Sequence, residues 1–127
     1  MMDFTFKKAQ KLLTSKDFKS VFDHVHIKAG TGELLVLVFD NQDERPARLG
    51  LVVAKKNLKR AVDRNRFKRT IRESFRTHQH QLKGLDFVVL SRRGALTLDG
   101  PALKRVVDQT WRRILKKRAA NIATRDS

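Results

Sequence analysis

Apolar side chains change their spacing along the chain, and each change marks an element. Phe18, Val21, Phe22 and Val25 fall at i, i+3, i+4 and i+7, which predicts a short helix over 15–25. Thr14 or Ser15 is placed to cap it. Glu33 to Phe39 is an apolar run between GTG and DNQDERP and predicts a mostly buried strand. From Arg48 to Ala54 the pattern becomes alternation, with Leu49, Leu51 and Val53 on one face. These two strands are expected to pair as a hairpin with a long polar loop.

Residues 58–82 form the longest helical candidate, and Asp86–Leu90 (DFVVL) reads as a third strand, short and continuously apolar. Asp99-Gly100-Pro101 then opens a last helix: Asp99 caps and Pro101 suits the first turn. Leu103, Val106, Val107, Thr110, Trp111, Ile114 and Leu115 give that helix a continuous stripe. The tail from about residue 118 is expected to be flexible. The predicted order is α-β-β-α-β-α, an α+β fold in which helices pack on a small sheet as a two-layer sandwich. No repeat or low-complexity linker divides the chain, and its 127 residues fit a single domain, 1–127.

Charge changes the picture. Twenty-nine Lys and Arg stand against 13 Asp and Glu, a formal net charge of +16. That surplus favours an anionic partner, nucleic acid or a membrane surface. The hydrophobic fraction of 40% still supports a core, so the chain is not expected to be disordered. No apolar run reaches the roughly 20 residues that cross a bilayer, MMDFTFKKAQ lacks a signal-peptide core, and there is no cysteine for disulfides or thiolate zinc sites. A cytoplasmic protein is expected.

The stretch RNRFKRTIRESFR, residues 64–76, concentrates the surplus. With Phe67 set at 0° and about 100° per residue, Ile71, Ser74, Phe75 and His78 lie within roughly 80° of it and form a core side. Asn65, Lys68, Arg69, Arg72 and Arg76 fall between about 100° and 200°, on the outer side. Arg64 and Arg66 lie off that stripe. A solvated helix face normally mixes signs in i, i+4 pairs. Between Lys55 and Arg76, however, ten residues are Lys or Arg and only Asp63 and Glu73 are acidic, so this segment holds +8 of the +16. Such a stripe repels itself unless an anion sits against it, and arginine forks grip phosphate oxygens in pairs. Phosphate-backbone binding is the reading these residues favour. Gly50, in the preceding strand, permits either close approach of a partner or a bulge.

LGLVVAKKNLKRAVDRNRFKRTIRESFR, residues 49–76, resembles the signature region of the bacterial ribonuclease P protein family. The likeness extends to Phe18-Lys-Ser-Val-Phe22, to DFVVL and to the last helix with Trp111, so it covers nearly the whole chain. It implies a monomeric basic protein, one per catalytic RNA, in a ribonucleoprotein that removes 5′ leaders from precursor tRNA. In that family the RNA hydrolyses with Mg2+, and the protein assists substrate binding and metal affinity. By resemblance, Lys55, Lys56, Lys59, Arg60, Arg64, Asn65, Arg66, Lys68, Arg69, Arg72 and Arg76 contact the catalytic RNA. A cleft between the first helix and the sheet, with Lys16, Phe18 and Phe22, receives the single-stranded leader. Lys19 is a further phosphate contact, while Val21 and Val25 face the core. The resemblance also implies a left-handed β-α-β crossover, where general topology favours a right-handed one.

Other chemistry is thinly supported. An independent nuclease needs clustered carboxylates or a histidine acid/base pair, and the acids here are scattered along the chain. His24-Val-His26 and His78-Gln-His80 diverge on helices and read as solvated. No catalytic or metal-binding residue is therefore assigned to the polypeptide. Aromatic residues at i and i+4, like Phe18 and Phe22, are ordinarily core; the resemblance shifts them towards stacking on leader bases. The cluster Arg112, Arg113, Lys116, Lys117 and Arg118 stays open between a second RNA patch and a basic C-terminal turn favoured by the helix dipole. A ribosomal or DNA-binding module is the alternative class. A helix-turn-helix does not fit, because strands flank the basic helix. Membrane-surface binding would need Phe67, Ile71 and Phe75 on an exposed face.

Overall fold

The computed structural model describes residues 15–126. Thr14 and the N-terminal segment read for a signal core lie outside the described residues. The elements are α1 (Ser15–Asp23), β1 (Ile27–Gly30), β2 (Leu34–Asp40), β3 (Arg48–Val52), α2 (Ala61–His78), β4 (Leu85–Ser91) and α3 (Gly100–Asp126). Short 3-10 turns occupy Gln79–Gln81 and Arg93–Thr97. The expected α+β order holds, with one strand, β1, added ahead of β2. IKAG is only four residues long and alternates around a small Ala and Gly, so it carries almost no strand signal.

The sheet order is β1-β2-β4-β3, which corrects the expected hairpin. β2 is antiparallel to β1 and to β4, whereas β3 runs parallel to β4 in the register Arg48↔Asp86 to Val52↔Leu90. The reason lies in β4, which is buried along nearly its whole length and needs neighbours on both edges. Parallel pairing of β3 with β4 requires a crossover, and α2 supplies it. Gly50 sits opposite Val88 in unbroken register, so no bulge occurs there.

The polar loop after β2 seats against the turn before β4 instead of closing a hairpin. The Gly84 carbonyl accepts from the Asn41 amide at 2.8 Å and from its side-chain Nδ2 at 3.1 Å, and the Gly84 amide donates to the Arg45 carbonyl at 2.7 Å. Gly84 has φ +82, and a Cβ there would lie 2.3 Å from the Asp43 carbonyl oxygen. Only glycine fits.

One sheet face is fully closed. Ala29, Val36, Val38, Leu49, Phe87 and Val89 meet Phe67, Ile71 and Phe75 of α2 and Leu103, Val107, Trp111 and Ile114 of α3. Phe75, Phe87 and Trp111 pack edge to face, with centroids 5.9, 6.2 and 5.2 Å apart. The Trp111 indole N–H donates to Ser74 Oγ at 2.8 Å, and the Ser74 hydroxyl donates to the Asp108 carboxylate, so a buried polar chain pins α2 to α3.

α3 begins as read: Asp99 Oδ1 accepts the Ala102 amide at 2.8 Å. It does not fray after Lys117 but continues to Asp126. No Gly or Pro interrupts 118–126, and two cations anchor the helix where this stretch begins. Lys117 Nζ donates to the Lys28 carbonyl at 2.6 Å; Arg118 donates to the Lys83 carbonyl at 3.0 Å and pairs with Asp40. α1 is shorter than expected and stops at Asp23. Val21 is buried as read, but Val25 lies beyond the helix end and is 38% exposed, not core.

Candidate nucleic-acid interface

α2 places its residues as the 100° wheel dictates. Phe67, Ile71, Ser74 and Phe75 are buried, and Asn65, Arg69 and Arg72 are exposed on the far side. Asn65, Lys68, Arg69 and Arg72 line an open depression of about 570 Å³ together with Val62. Val62 was not singled out by the sequence reading, although it is 59% exposed. The available signal was its place three residues before Asn65 and seven before Arg69, at about 220° and so beside the outer arc.

The turn ahead of α2 is held rigidly. Asn57 Nδ2 donates to the Ser91 carbonyl at 2.9 Å, and the Ala54 amide donates to Ser91 Oγ at 3.2 Å, so β4 fixes the turn. The amides of Asn57 and Leu58 both bond the Ala54 carbonyl at 3.1 Å, and Leu58 is buried. Lys55, Lys56, Lys59 and Arg60 stand exposed around this anchored turn.

The cations are not equivalent. Arg64 turns back and donates to the Leu58 and Lys59 carbonyls at 2.9 and 2.7 Å, bracing the turn. Arg66 lies 3.6 Å from Asp63, and Arg76 pairs with Glu73. Hydrogen bonding from Arg76 holds the exposed Glu73 carboxyl below its ordinary value, a pair of small energetic weight on a solvated surface. Lys55, Lys56, Lys59, Arg60, Lys68, Arg69 and Arg72 make no ion pair among the described residues. These seven are available to an external anion.

The other sheet face is only partly covered. Val21 of α1 packs on Leu37 and Val88, with Phe18, Leu35, Phe39 and Leu90 half-buried around them. Phe22 is 46% exposed, Lys16 and Lys19 are exposed, and Val52 is exposed at the sheet edge. Phe18 and Phe22 thus separate: one leans on the apolar cluster and the other projects. Leu35, Phe39 and Leu90 were missed as members of this surface, because a strand apolar on both faces does not reveal which face stays open. α1 is anchored across the sheet by Arg48. Its guanidinium binds Asp86 through two bonds of 2.9 and 2.7 Å and reaches Asp17 at 3.2 Å. The bonds to Asp86 raise the Arg48 pKa further above its usual value.

His24 and His26 are exposed, as read, whereas His78 and His80 are partly buried. His26 Nδ1 accepts the Asp40 amide at 3.0 Å and its ring stacks on Phe39 at 4.8 Å, while His78 Nδ1 donates to the Ser74 carbonyl at 2.8 Å. Among the described residues no group of three or more His, Asp or Glu side chains is arranged to hold a metal ion. No helix of the described residues is long and apolar enough to cross a membrane.

Comparison with known proteins agrees with this geometry. A family model described as Ribonuclease P matches residues 6–115. The ribonuclease P protein component of Saccharophagus degradans is 49% identical over 121 residues, covering 95% of this chain and 89% of the relative. The solved RNase P protein of Staphylococcus aureus is 28% identical with a TM-score of 0.69, covering 86% of this chain and 94% of that one. That of Thermotoga maritima, in complex with 1-(4-fluorophenyl)-2-thiourea, is also 28% identical, with a TM-score of 0.63 and coverage of 80% and 92%. With an anchored cationic turn and helix on one side and a half-open aromatic face on the other, the chain belongs to the ribonuclease P protein family.

Proposed function

We propose that this chain is the protein subunit of a ribonucleoprotein that removes the 5′ leader of precursor tRNA, with hydrolysis performed by the catalytic RNA. The observation that carries the reading is the set of seven unpaired cations spread over the Lys55–Arg60 turn and α2. Each phosphate neutralised there releases counterions and favours binding. Arg69 and Arg72 present planar forks suited to two phosphate oxygens each. Asn65 adds a neutral donor and acceptor for a sugar or base edge. Arg64 acts mainly by bracing the turn, and Arg66 and Arg76 exchange weak internal partners for phosphate.

The leader lies across the half-open face. Phe22 offers an exposed ring for a base to stack on, Phe18 supports it from the apolar cluster, and Lys16 and Lys19 meet phosphates. The Mg2+ ions of the reaction belong to the RNA in this reading, and no step passes through a protein-bound metal.

Reconstitution tests it. Purified protein alone should not cut precursor tRNA specifically, and adding it to the catalytic RNA should stimulate cleavage at low magnesium. Specific 5′ processing by RNA-free protein would sink the subunit reading. Replacing Lys68, Arg69 and Arg72 together with Ala should weaken binding to the catalytic RNA. The log-log salt slope should then become shallower by about 2 units.

A further inference from the structure

α3 carries its own charge surplus. Between Gly100 and Asp126 there are eight Lys and Arg against Asp108 and Asp126, a net +6. With the +8 of Lys55–Arg76, two segments account for +14 of the chain's +16. The basic cluster at 112–118 left open by the sequence divides once its partners are seen. Lys117 and Arg118 turn inward to backbone carbonyls and Asp40, which makes them structural. Lys104 pairs with Asp108 at 3.1 Å. Arg112, Arg113 and Lys116 remain exposed, and Arg105, one helical stretch earlier, joins them. None of these four makes an ion pair among the described residues.

Their positions form a surface. With Trp111 at 0°, Arg105, Gln109, Arg112, Lys116 and Arg113 fall between about 100° and 200° and span roughly 16 Å of helix axis. No acidic residue lies in that arc. A helix dipole favours cations only in the last turn, and Arg105 to Lys116 sit in the first two-thirds of a helix that ends at Asp126. The dipole therefore does not explain them. Some exposed cations of this molecule carry an acid beside them, as in Arg45–Asp43 and Arg76–Glu73, and this row does not. An uncompensated row on an ordered helix calls for an external polyanion.

α2 and α3 cover the same sheet face side by side, pinned through Ser74 and Trp111. The aromatic face with Phe22 lies on the other side of the sheet. A polyanion held by α2 therefore lies on the same side of the molecule as the α3 row, and a leader on the Phe22 face does not. We propose that Arg105, Arg112, Arg113 and Lys116 form a second docking surface for the phosphate backbone of the catalytic RNA, engaging a segment separate from the one held by α2. This inference rests on the reading of the chain as that RNA's protein subunit.

The test compares three full-length variants for affinity to the catalytic RNA across a salt series. They are Arg105→Gln/Arg112→Gln/Lys116→Gln, the α2 variant Lys68→Ala/Arg69→Ala/Arg72→Ala, and a charge-matched control, Arg45→Ala/Lys83→Ala/Arg93→Ala. Gln preserves the helix, and an unchanged melting temperature checks folding. The α3 variant should make the slope shallower by about 2 units, with less than about 1 for the control. An α2 effect without an α3 effect overturns this inference and leaves the subunit reading standing; no effect from either removes both. An equal fall in the control, or a loss confined to precursor tRNA affinity of the holoenzyme, also overturns it. Because the chain has no cysteine, a cleaving iron chelate placed through Arg113→Cys or Arg69→Cys reads location directly. Separate cleavage sites on the RNA support two docking segments. Coincident sites, or none from Arg113→Cys, overturn the assignment even if the Gln variant proves unstable.

Discussion

The two faces of the sheet are built from alternate residues of the same strands, yet they are finished differently. Val36 and Val38 of β2 point into a closed core with Phe75 and Trp111, while Leu35, Leu37 and Phe39 point to a face that α1 only partly covers. Closing a face gains stability; leaving apolar surface half open forgoes some of it and offers a platform to a ligand. One sheet thus serves as foundation on one side and, under the proposed function, as binding surface on the other.

Substitution should separate the faces sharply. Phe75→Ala removes a fully buried ring and should cost about 3–5 kcal/mol in denaturant unfolding, with every binding activity lost together. Trp111→Phe keeps the aromatic packing but leaves the Ser74 hydroxyl without its donor. It should cost about 1–3 kcal/mol and loosen α2 against α3, visible as faster amide exchange in both helices. Phe22→Ala should reverse the pattern, with melting almost unchanged and a loss of about 1–3 kcal/mol in holoenzyme affinity for a precursor with a long leader. A leaderless substrate should show no such loss. Uniform loss with a large fall in melting temperature would make Phe22 a core residue and erase the contrast. Phe18→Ala should combine a partial stability loss with the leader defect.

The smallest expected effect is electrostatic. Burial raises the Asp108 pKa, but hydrogen bonds from Ser74 and Lys104 outweigh it and leave the carboxyl below its ordinary value of 3.8. A depressed folded-state value means that this contribution is present above the unfolded pKa and is lost as pH falls through the folded one. Acid titration of stability should therefore be less steep below pH about 4 in Asp108→Asn than in the parent. Identical acid limbs would show that the carboxylate adds nothing to the junction of α2 and α3.

Much of this was legible from side-chain spacing. The buried and exposed sides of α2 follow directly from Phe67, Ile71 and Phe75, and the Asp99 cap from its place before Gly100-Pro101. Pairing was less legible because an apolar run states that a strand is buried, not which strand it joins. β2 and β3 are neighbours in sequence, but β4 inserts between them, and the continuous DFVVL run was the clue to a central strand. The state of each cation was illegible as well. Arg64 and Arg69 are identical as letters, and only the fold shows one bonded to Leu58 and Lys59 and the other free.

The central position of β4 also dictates an order of assembly. β2 meets it across separations running from Leu34↔Ser91 to Asp40↔Leu85, and β3 meets it from Arg48↔Asp86 onward. Such non-local pairings are slow to form, because loop closure precedes any gain from contact. During vectorial synthesis the sheet cannot close until Ser91 has left the exit tunnel, and the aromatic core waits longer, for Trp111. The cationic α2 therefore emerges before the strand that seats it, at a moment when its mutual repulsion is opposed by few contacts. Folding of this chain should accelerate when a polyanion is present as it emerges, so that the ligand of the finished protein also shortens its assembly.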